Sequence, residues 1–248
     1  MLLKGKTAII TGSNRGIGSE ILKLFSENGC NIISCSRNIT QEFIISNNKL
    51  EKEFQNEINE IDLDLSDSKS VNNAIGKIKS YETKIDCIIN NAGEIHNKLF
   101  QMTKIDEAKY IFEVNFFNQI FFTQGLIRKI DKKKGGSIIF LSSSSAQDGN
   151  IGRSIYAASK SAIEAFSKVL SRELGSSKIR VNSISPGLTN TEMMIKSTDK
   201  KYLENIVNDI PLKRIGEKID VAKLALFLAS DLSNYLTGQN IRIDGGLK

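Results

Sequence analysis

Short apolar runs alternate with helix-period segments along the whole of this 248-residue chain. That rhythm constrains the fold more than any other feature. Apolar runs at 7–11, 31–36, 58–63, 85–90, 137–141, 180–185 and 241–243 read as strands. Between them, 17–28, 66–80, 105–130, a segment carrying Tyr156, and 219–230 place apolar residues at helical spacing. Residues 40–56 are more polar and read as helix with a loose loop. Continuously apolar strands alternating with helices imply a parallel sheet covered on both faces. Right-handed crossovers then make it doubly wound. The expected class is α/β. With no Pro- or Ser-rich linker, repeat or low-complexity tract, residues 1–248 read as one domain.

The turn from the first strand into the first helix carries the first chemical signal. Gly12, Ser13, Asn14, Arg15, Gly16, Ile17 and Gly18 follow Thr11 in a G-x-x-x-G-x-G spacing. Glycines there let the backbone turn tightly and approach a pyrophosphate. The helix that follows points its free N–H groups and positive dipole end at the same anion. The end of the second strand decides which nicotinamide cofactor fits. An acidic residue there would bind the ribose hydroxyls and repel a 2′-phosphate. This chain has Ser36 and Arg37 instead. Arg37, with Arg15 in the glycine loop, can meet a 2′-phosphate through charge-assisted hydrogen bonds, which favours NADP(H).

Tyr156 and Lys160 stand four residues apart, on one face of the predicted helix. A cation held beside a phenol favours phenolate, so the tyrosine pKa is expected to fall. That would let it exchange a proton with an alcohol or carbonyl oxygen. His96, the single histidine, reads as a residue of the cleft rim or surface, and no His/Cys/Asp cluster has metal spacing.

Composition excludes some alternatives. The net charge of +6 and a pI near 9.1 could suggest a polyanion partner. The lysines are scattered, however, which fits general compositional bias better than a nucleic-acid surface. The one denser cluster is Arg128, Lys129 and Lys132–Lys134, with Lys178 as a candidate neighbour. It fits either a solvated helix end or a dock for an acidic carrier protein. Cys30, Cys35 and Cys87 are odd in number and lack metal spacing, so they read as reduced core residues of a cytoplasmic protein. Lys4, Gly5 and Lys6 interrupt any hydrophobic leader, and no apolar run reaches the roughly 20 residues of a membrane span.

Taken in order, these residues resemble the short-chain dehydrogenase/reductase family in its compact form. The resemblance rests on Thr11-Gly12 through Gly18, Asp64-Leu65 and Asn90-Asn91-Ala92-Gly93. Val114-Asn115, Ser143, Tyr156, Lys160 and Pro186-Gly187 complete it. Within the family the chain looks most like bacterial 3-oxoacyl-(acyl-carrier-protein) reductases, through 15–18, 163–173 and the tail from 227 to 246. Residues 38–60 look a few positions longer than usual. The resemblance implies a single-domain Rossmann fold of about seven strands in the order 3-2-1-4-5-6-7. It also implies a carbonyl reduction in which Tyr156 donates the proton and Lys160 depresses its pKa and binds the nicotinamide ribose. Ser143 would polarise the substrate carbonyl, and Asn115 would hold a water that joins Lys160 to solvent. Asp64, Leu65, Asn91, Ala92, Gly93, Pro186, Gly187 and Thr189 are implied as further cofactor contacts.

Substrate choice is expected from 93–103, 144–153 and a lid at 188–210. Three readings stay open: a 3-oxoacyl-carrier-protein reductase, a reductase of a sugar or other small carbonyl, and a catalytically silent NADP-binding protein. The resemblance also implies a homotetramer built on the long helix and the catalytic helix, and Phe112, Phe116, Phe117, Phe121 and Phe122 make that long helix unusually aromatic.

Overall fold

The computed structural model describes residues 1–197 and 206–247. Its centre is a seven-stranded sheet of β1 Thr7–Thr11, β2 Asn31–Ser36, β3 Ile58–Asp62, β4 Cys87–Asn90, β5 Gly136–Leu141, β6 Ile179–Pro186 and β7 Asn240–Ile243. The order is β3-β2-β1-β4-β5-β6-β7, as expected, and every neighbouring pair is parallel. The chain builds outward from β1 through β3, then returns to the other side of β1 with β4. That reversal opens a crevice at the carboxyl ends of the strands.

Side-chain alternation along these strands divides the core in two. Ile9, Ile33, Ile88, Ile138 and Val181 point to one face, where Val71, Ile78, Phe122, Leu126 and Ile163 cover them. Ala8, Ile10, Ile32, Ile89, Ile139 and Ile184 point to the other, under Ile21, Leu22, Phe25, Val221 and Ala225. The first cover comes from α3 Ser68–Ser80, α5 Asn118–Leu126 and α7 Ser154–Leu174. The second comes from α1 Gly16–Glu27 and a late helix, Lys218–Ala229. Each isoleucine or leucine removed from water this way contributes about 1.5–3 kcal/mol before the cost of ordering it. The edge strands are the least buried: β3 exposes Asn59 and Asp62, and β7 is half-buried throughout.

Several boundaries differ from the sequence reading. The segment read as helix with a loose loop is helical nearly throughout, as α2 Gln41–Phe54, started by the Thr40 hydroxyl accepting from Phe43 N and ended by Gln55 in the left-handed region. β4 begins at Cys87 because Ile85 makes only an isolated bridge, to Ile130. The long helix expected over 105–130 is interrupted. α4 Ile105–Phe112 passes into a π turn at Glu113–Phe117 before α5, and a 3₁₀ turn closes it at Ile127–Lys129. Its aromatic residues divide between surfaces: Phe122 is fully buried and Phe116 packs on Phe166, while Phe117 and Phe121 face solvent. The predicted lid begins in α8 Glu192–Ser197, and its centre lies outside the described residues. Among the described residues, no helix is long and apolar enough to cross a membrane, and all three cysteines are buried and unpaired.

Candidate active site

A cavity of about 670 Å³ lies across the carboxyl ends of the central strands, well within the size range of small-molecule sites. One end is formed by the glycine loop. Gly12 and Gly16 adopt positive φ of 65° and 60°, a region that L side chains rarely enter. A Cβ on Gly18 would lie 2.1 Å from the Gly12 carbonyl oxygen and 2.5 Å from the Asn91 amide. Only glycine therefore lets α1 start so close to the turn. Asn91 Nδ2 holds that turn by donating to the carbonyls of Thr11 (2.9 Å) and Gly12 (3.1 Å). Thr11 Oγ1 in return accepts from the Asn91 and Ala92 N–H groups, each at 3.0 Å. The result is a tight backbone cradle at a helix N-terminus, suited to a pyrophosphate.

Arg15 and Arg37 are both exposed along this end, with Asp64, Leu65, Ala92 and Gly93 forming the wall beside them. Ser13 does not reach the cavity wall. It is buried against the sheet, where its hydroxyl pairs with Ser34 Oγ at 2.8 Å and donates to Cys35 O at 3.2 Å.

The other end carries Ser143, Tyr156 and Lys160, all largely buried and all on the cavity wall, with Pro186, Gly187 and Thr189 opposite. The serine run divides its duties. Ser142 Oγ is spent on Lys160 O (3.2 Å) and Glu164 Oε1 (2.8 Å), whereas the Ser143 side chain hydrogen-bonds the Tyr156 phenol. Glu164 also accepts from Ser185 Oγ at 2.9 Å and Gln147 Nε2 at 3.0 Å, so one carboxylate braces the ends of β5 and β6. Asn115 stands behind the wall, in the π turn, and is fully buried. Its Oδ1 accepts from Glu94 N at 2.8 Å, and its Nδ2 donates to Glu94 O at 2.8 Å and Ser159 Oγ at 3.2 Å. A π turn at such a position is a common mark of a functional site.

The protonation of this end corrects the sequence reading. The phenol was expected to fall in pKa beside Lys160; instead burial pushes Tyr156 up, opposed by the Ser143 hydrogen bond and the charge of Arg153. Lys160 Nζ sits 6.0 Å from the ring centroid and donates to Leu141 O at 2.8 Å. Burial also draws Lys160 down to about 8. The expectation weighed the cation and not the desolvation that both groups share, and here desolvation dominates. Near neutral pH the phenol keeps its proton, the form a carbonyl reduction consumes.

Most of the residues expected at the site thus share one cavity, with Ser13, Gly18 and Asn115 supporting it from behind. Sequence reasoning did not single out Arg153, Glu94 or Glu164. Arg153 was legible as the residue one helical turn before Tyr156, since that spacing puts it beside the phenol. His96 is absent from the cavity wall, and among the described residues both its ring nitrogens are buried without a hydrogen-bond partner. The basic cluster lies elsewhere. Lys178 Nζ reaches Lys133 O at 3.3 Å, just ahead of the amino ends of β5 and β6 and across the sheet from the cavity. Among the described residues no group of three His, Cys, Asp or Glu side chains could hold a metal.

Comparison with known proteins agrees with this architecture. A family model described as enoyl-(acyl carrier protein) reductase matches residues 12–248. The 3-oxoacyl-(acyl-carrier-protein) reductase of Chlamydia trachomatis serovar D is 36% identical over 246 residues, covering 99% of this chain and 98% of its own. A 3alpha-hydroxysteroid dehydrogenase of Mediterraneibacter gnavus is 34% identical over 253 residues, covering 100% of this chain and 99% of its own. Among solved structures, the L-sorbose reductase of Gluconobacter frateurii, complexed with NADPH and L-sorbose, is similar with a TM-score of 0.89. It is 26% identical, and the match covers 99% of this chain and 97% of that one.

Proposed function

The chain belongs to the short-chain dehydrogenase/reductase family of oxidoreductases, and from that premise we propose that it reduces a ketone to a secondary alcohol with NADPH, in the manner of a 3-oxoacyl-(acyl-carrier-protein) reductase. The observation that carries the reading is one wall holding Ser143, Tyr156 and Lys160 at the end of a cavity that begins at the glycine cradle.

The residues fit the dinucleotide. The cradle leaves no room for a Cβ at Gly18, and the first helix opens onto it. Arg15 and Arg37 are exposed cations where a 2′-phosphate would lie, and neither forms an ion pair among the described residues. When bound, NADPH supplies the hydride. The chain's own groups supply position and the proton. Ser143 orients and polarises the carbonyl oxygen, and Tyr156, protonated at neutral pH, donates to that oxygen as it gains charge. Lys160 holds the nicotinamide ribose and restores the phenol's proton. The added ribose hydroxyls and the phenolate formed in turnover both favour its charged form. Asn115 fixes the Gly93–Glu94 backbone beside Lys160, where a water can carry the proton outward.

A second reading, a reductase of a sugar or other small carbonyl, is favoured by the likeness to L-sorbose reductase and fits the same residues. An acyl carrier protein is the partner under the first reading only. The exposed Phe117 at the end of the π turn, Phe121 on α5 and Val169 on α7 support subunit contacts through this helical face, as a homotetramer would need. Substituting Tyr156→Phe tests the assignment. Turnover should fall by about 10²–10⁴-fold, the usual share of a general acid, while NADPH binding followed by fluorescence stays intact. Full activity in the variant would remove Tyr156 from the chemistry.

A further inference from the structure

We propose that Arg153 determines specificity by binding an anionic oxygen of the substrate, and that the ketone reduced is an oxo acid with a free carboxylate. This rests on the ketone-reductase reading alone and gives that site a different substrate class, a free oxo acid in place of the carrier-protein thioester or the neutral sugar.

Four cations line the cavity among the described residues: Arg15, Arg37, Arg153 and Lys160. The first two flank the glycine loop and the end of β2, and Lys160 Nζ is committed to Leu141 O. Arg153 alone stands at the substrate end with donors to spare. It caps the N-terminus of α7, one turn before Tyr156, and is half-buried. Its one described side-chain hydrogen bond goes to a neutral group, Ser145 Oγ, at a long 3.3 Å. No carboxylate pairs with it among the described residues. The cavity's acids are placed otherwise: Asp64 is turned to Ser66, Glu94 accepts from the Tyr110 hydroxyl, and Glu192 is exposed at the start of α8.

Ser145 also connects this guanidinium to the chemistry. Its backbone N–H donates to Ser143 Oγ at 3.2 Å, and Ser143 in turn contacts the phenol. An anion held by Arg153 therefore sits within a short reach of the reacting carbonyl. A guanidinium has five donors, and a carboxylate can take two of them in parallel. A substrate that expels water and offers only neutral oxygens would leave a partly desolvated cation facing a single hydroxyl, an unfavourable state. A carboxylate removes that penalty. In the reaction, the ketone carbon accepts the hydride of NADPH and its oxygen takes the proton of Tyr156. The C=O double bond becomes single as C–H and O–H bonds form. NADPH is oxidised to NADP⁺, and the carboxylate is unchanged.

The test compares the full-length protein with Arg153→Gln and Arg153→Lys. Rates of NADPH oxidation are measured on 2-, 3- and 4-oxo acids, each beside its methyl ester, with a neutral acetoacetyl thioester as a further arm. In the wild-type protein at least one acid should exceed its ester in kcat/KM by about 10- to 100-fold, the usual weight of a charge-assisted pair. Arg153→Gln should bring that ratio close to one, chiefly through KM, and Arg153→Lys should restore part of it. Melting temperature and NADPH binding report whether each variant folds. If the glutamine variant does not, the lysine variant carries the comparison, with a ratio between the wild-type value and one. A wild-type ratio of one or below in every pair, or an unchanged ratio in the variants, overturns the inference. Reduction of esters or thioester but not acids overturns it and leaves the ketone-reductase reading intact. If no oxo compound consumes NADPH, that reading fails and takes the inference with it.

Discussion

Replacing Lys160 with methionine should stabilise the cofactor-free protein while abolishing its activity. The ammonium is buried at 3% exposure and has one hydrogen-bond acceptor among the described residues, Leu141 O at 2.8 Å. Moving a lysine from its ordinary 10.5 to about 8 separates the charged and neutral forms by about 3 kcal/mol. Methionine has a similar length, places no charge there and forfeits one hydrogen bond of about 1 kcal/mol. The expected net gain at pH 7 is therefore about 2 kcal/mol, in keeping with buried charges that serve function rather than stability. The pH dependence follows from the same shift. Between pH 8 and 10.5 the unfolded lysine still holds a proton that the native one has released, so wild-type stability rises with pH across that window. The methionine variant lacks this contribution, and its advantage should shrink as pH climbs from 8 towards 10. Urea unfolding of both proteins, without cofactor and at one protein concentration, measures the difference at each pH. A less stable variant at pH 7, or a difference that stays flat from pH 7 to 10, would refute the reasoning.

Other outcomes follow from single contacts. Gly18→Ala should cost several kcal/mol and abolish cofactor binding, because its Cβ would sit 2.1 Å from the Gly12 carbonyl, which is backbone, and 2.5 Å from the Asn91 amide that holds the turn; a melting curve and an NADPH titration check both. Arg37→Ala should raise the KM for NADPH by about 10- to 100-fold and leave that for NADH nearly unchanged, since the lost charge-assisted bond serves only the 2′-phosphate; parallel kinetics with the two cofactors read it. Glu164→Leu should destabilise by about 2–4 kcal/mol, because Ser142, Ser185 and Gln147 each lose an acceptor; thermal unfolding reports it.

How legible the molecule was depends on the range of the force involved. Strands such as Ile9-Ile10 and Ile138-Ile139 were readable because both neighbours are apolar, which fits a sheet buried on two faces. The helix within 40–56 was legible but its extent was not, because α2 buries little: Asn47 is its one buried residue, so apolar period could not mark its ends and local caps hold it. The π turn was invisible because Glu113–Phe117 keeps helix-compatible residues, and the interruption is tied to Asn115 bonding across to Glu94. Serine spacing could not assign roles within 142–145, since those roles depend on Glu164, Arg153 and Tyr156 arriving from another helix.

By itself the sequence determined the parallel sheet, the glycine loop at its first turn, and the Tyr156 and Lys160 pair on one helix face. Each of these follows from periodicity or from steric limits within a few residues of chain. Only the tertiary structure decided the state of that pair. The cost of charge at Tyr156 and Lys160 comes from water excluded by β5, β6 and the π turn, which meet around them from distant parts of the chain. Desolvation belongs to the assembled cavity, and spacing along the chain does not carry it. For the same reason Arg153 became a candidate anchor only when the fold showed it beside the phenol with no acid paired to it among the described residues.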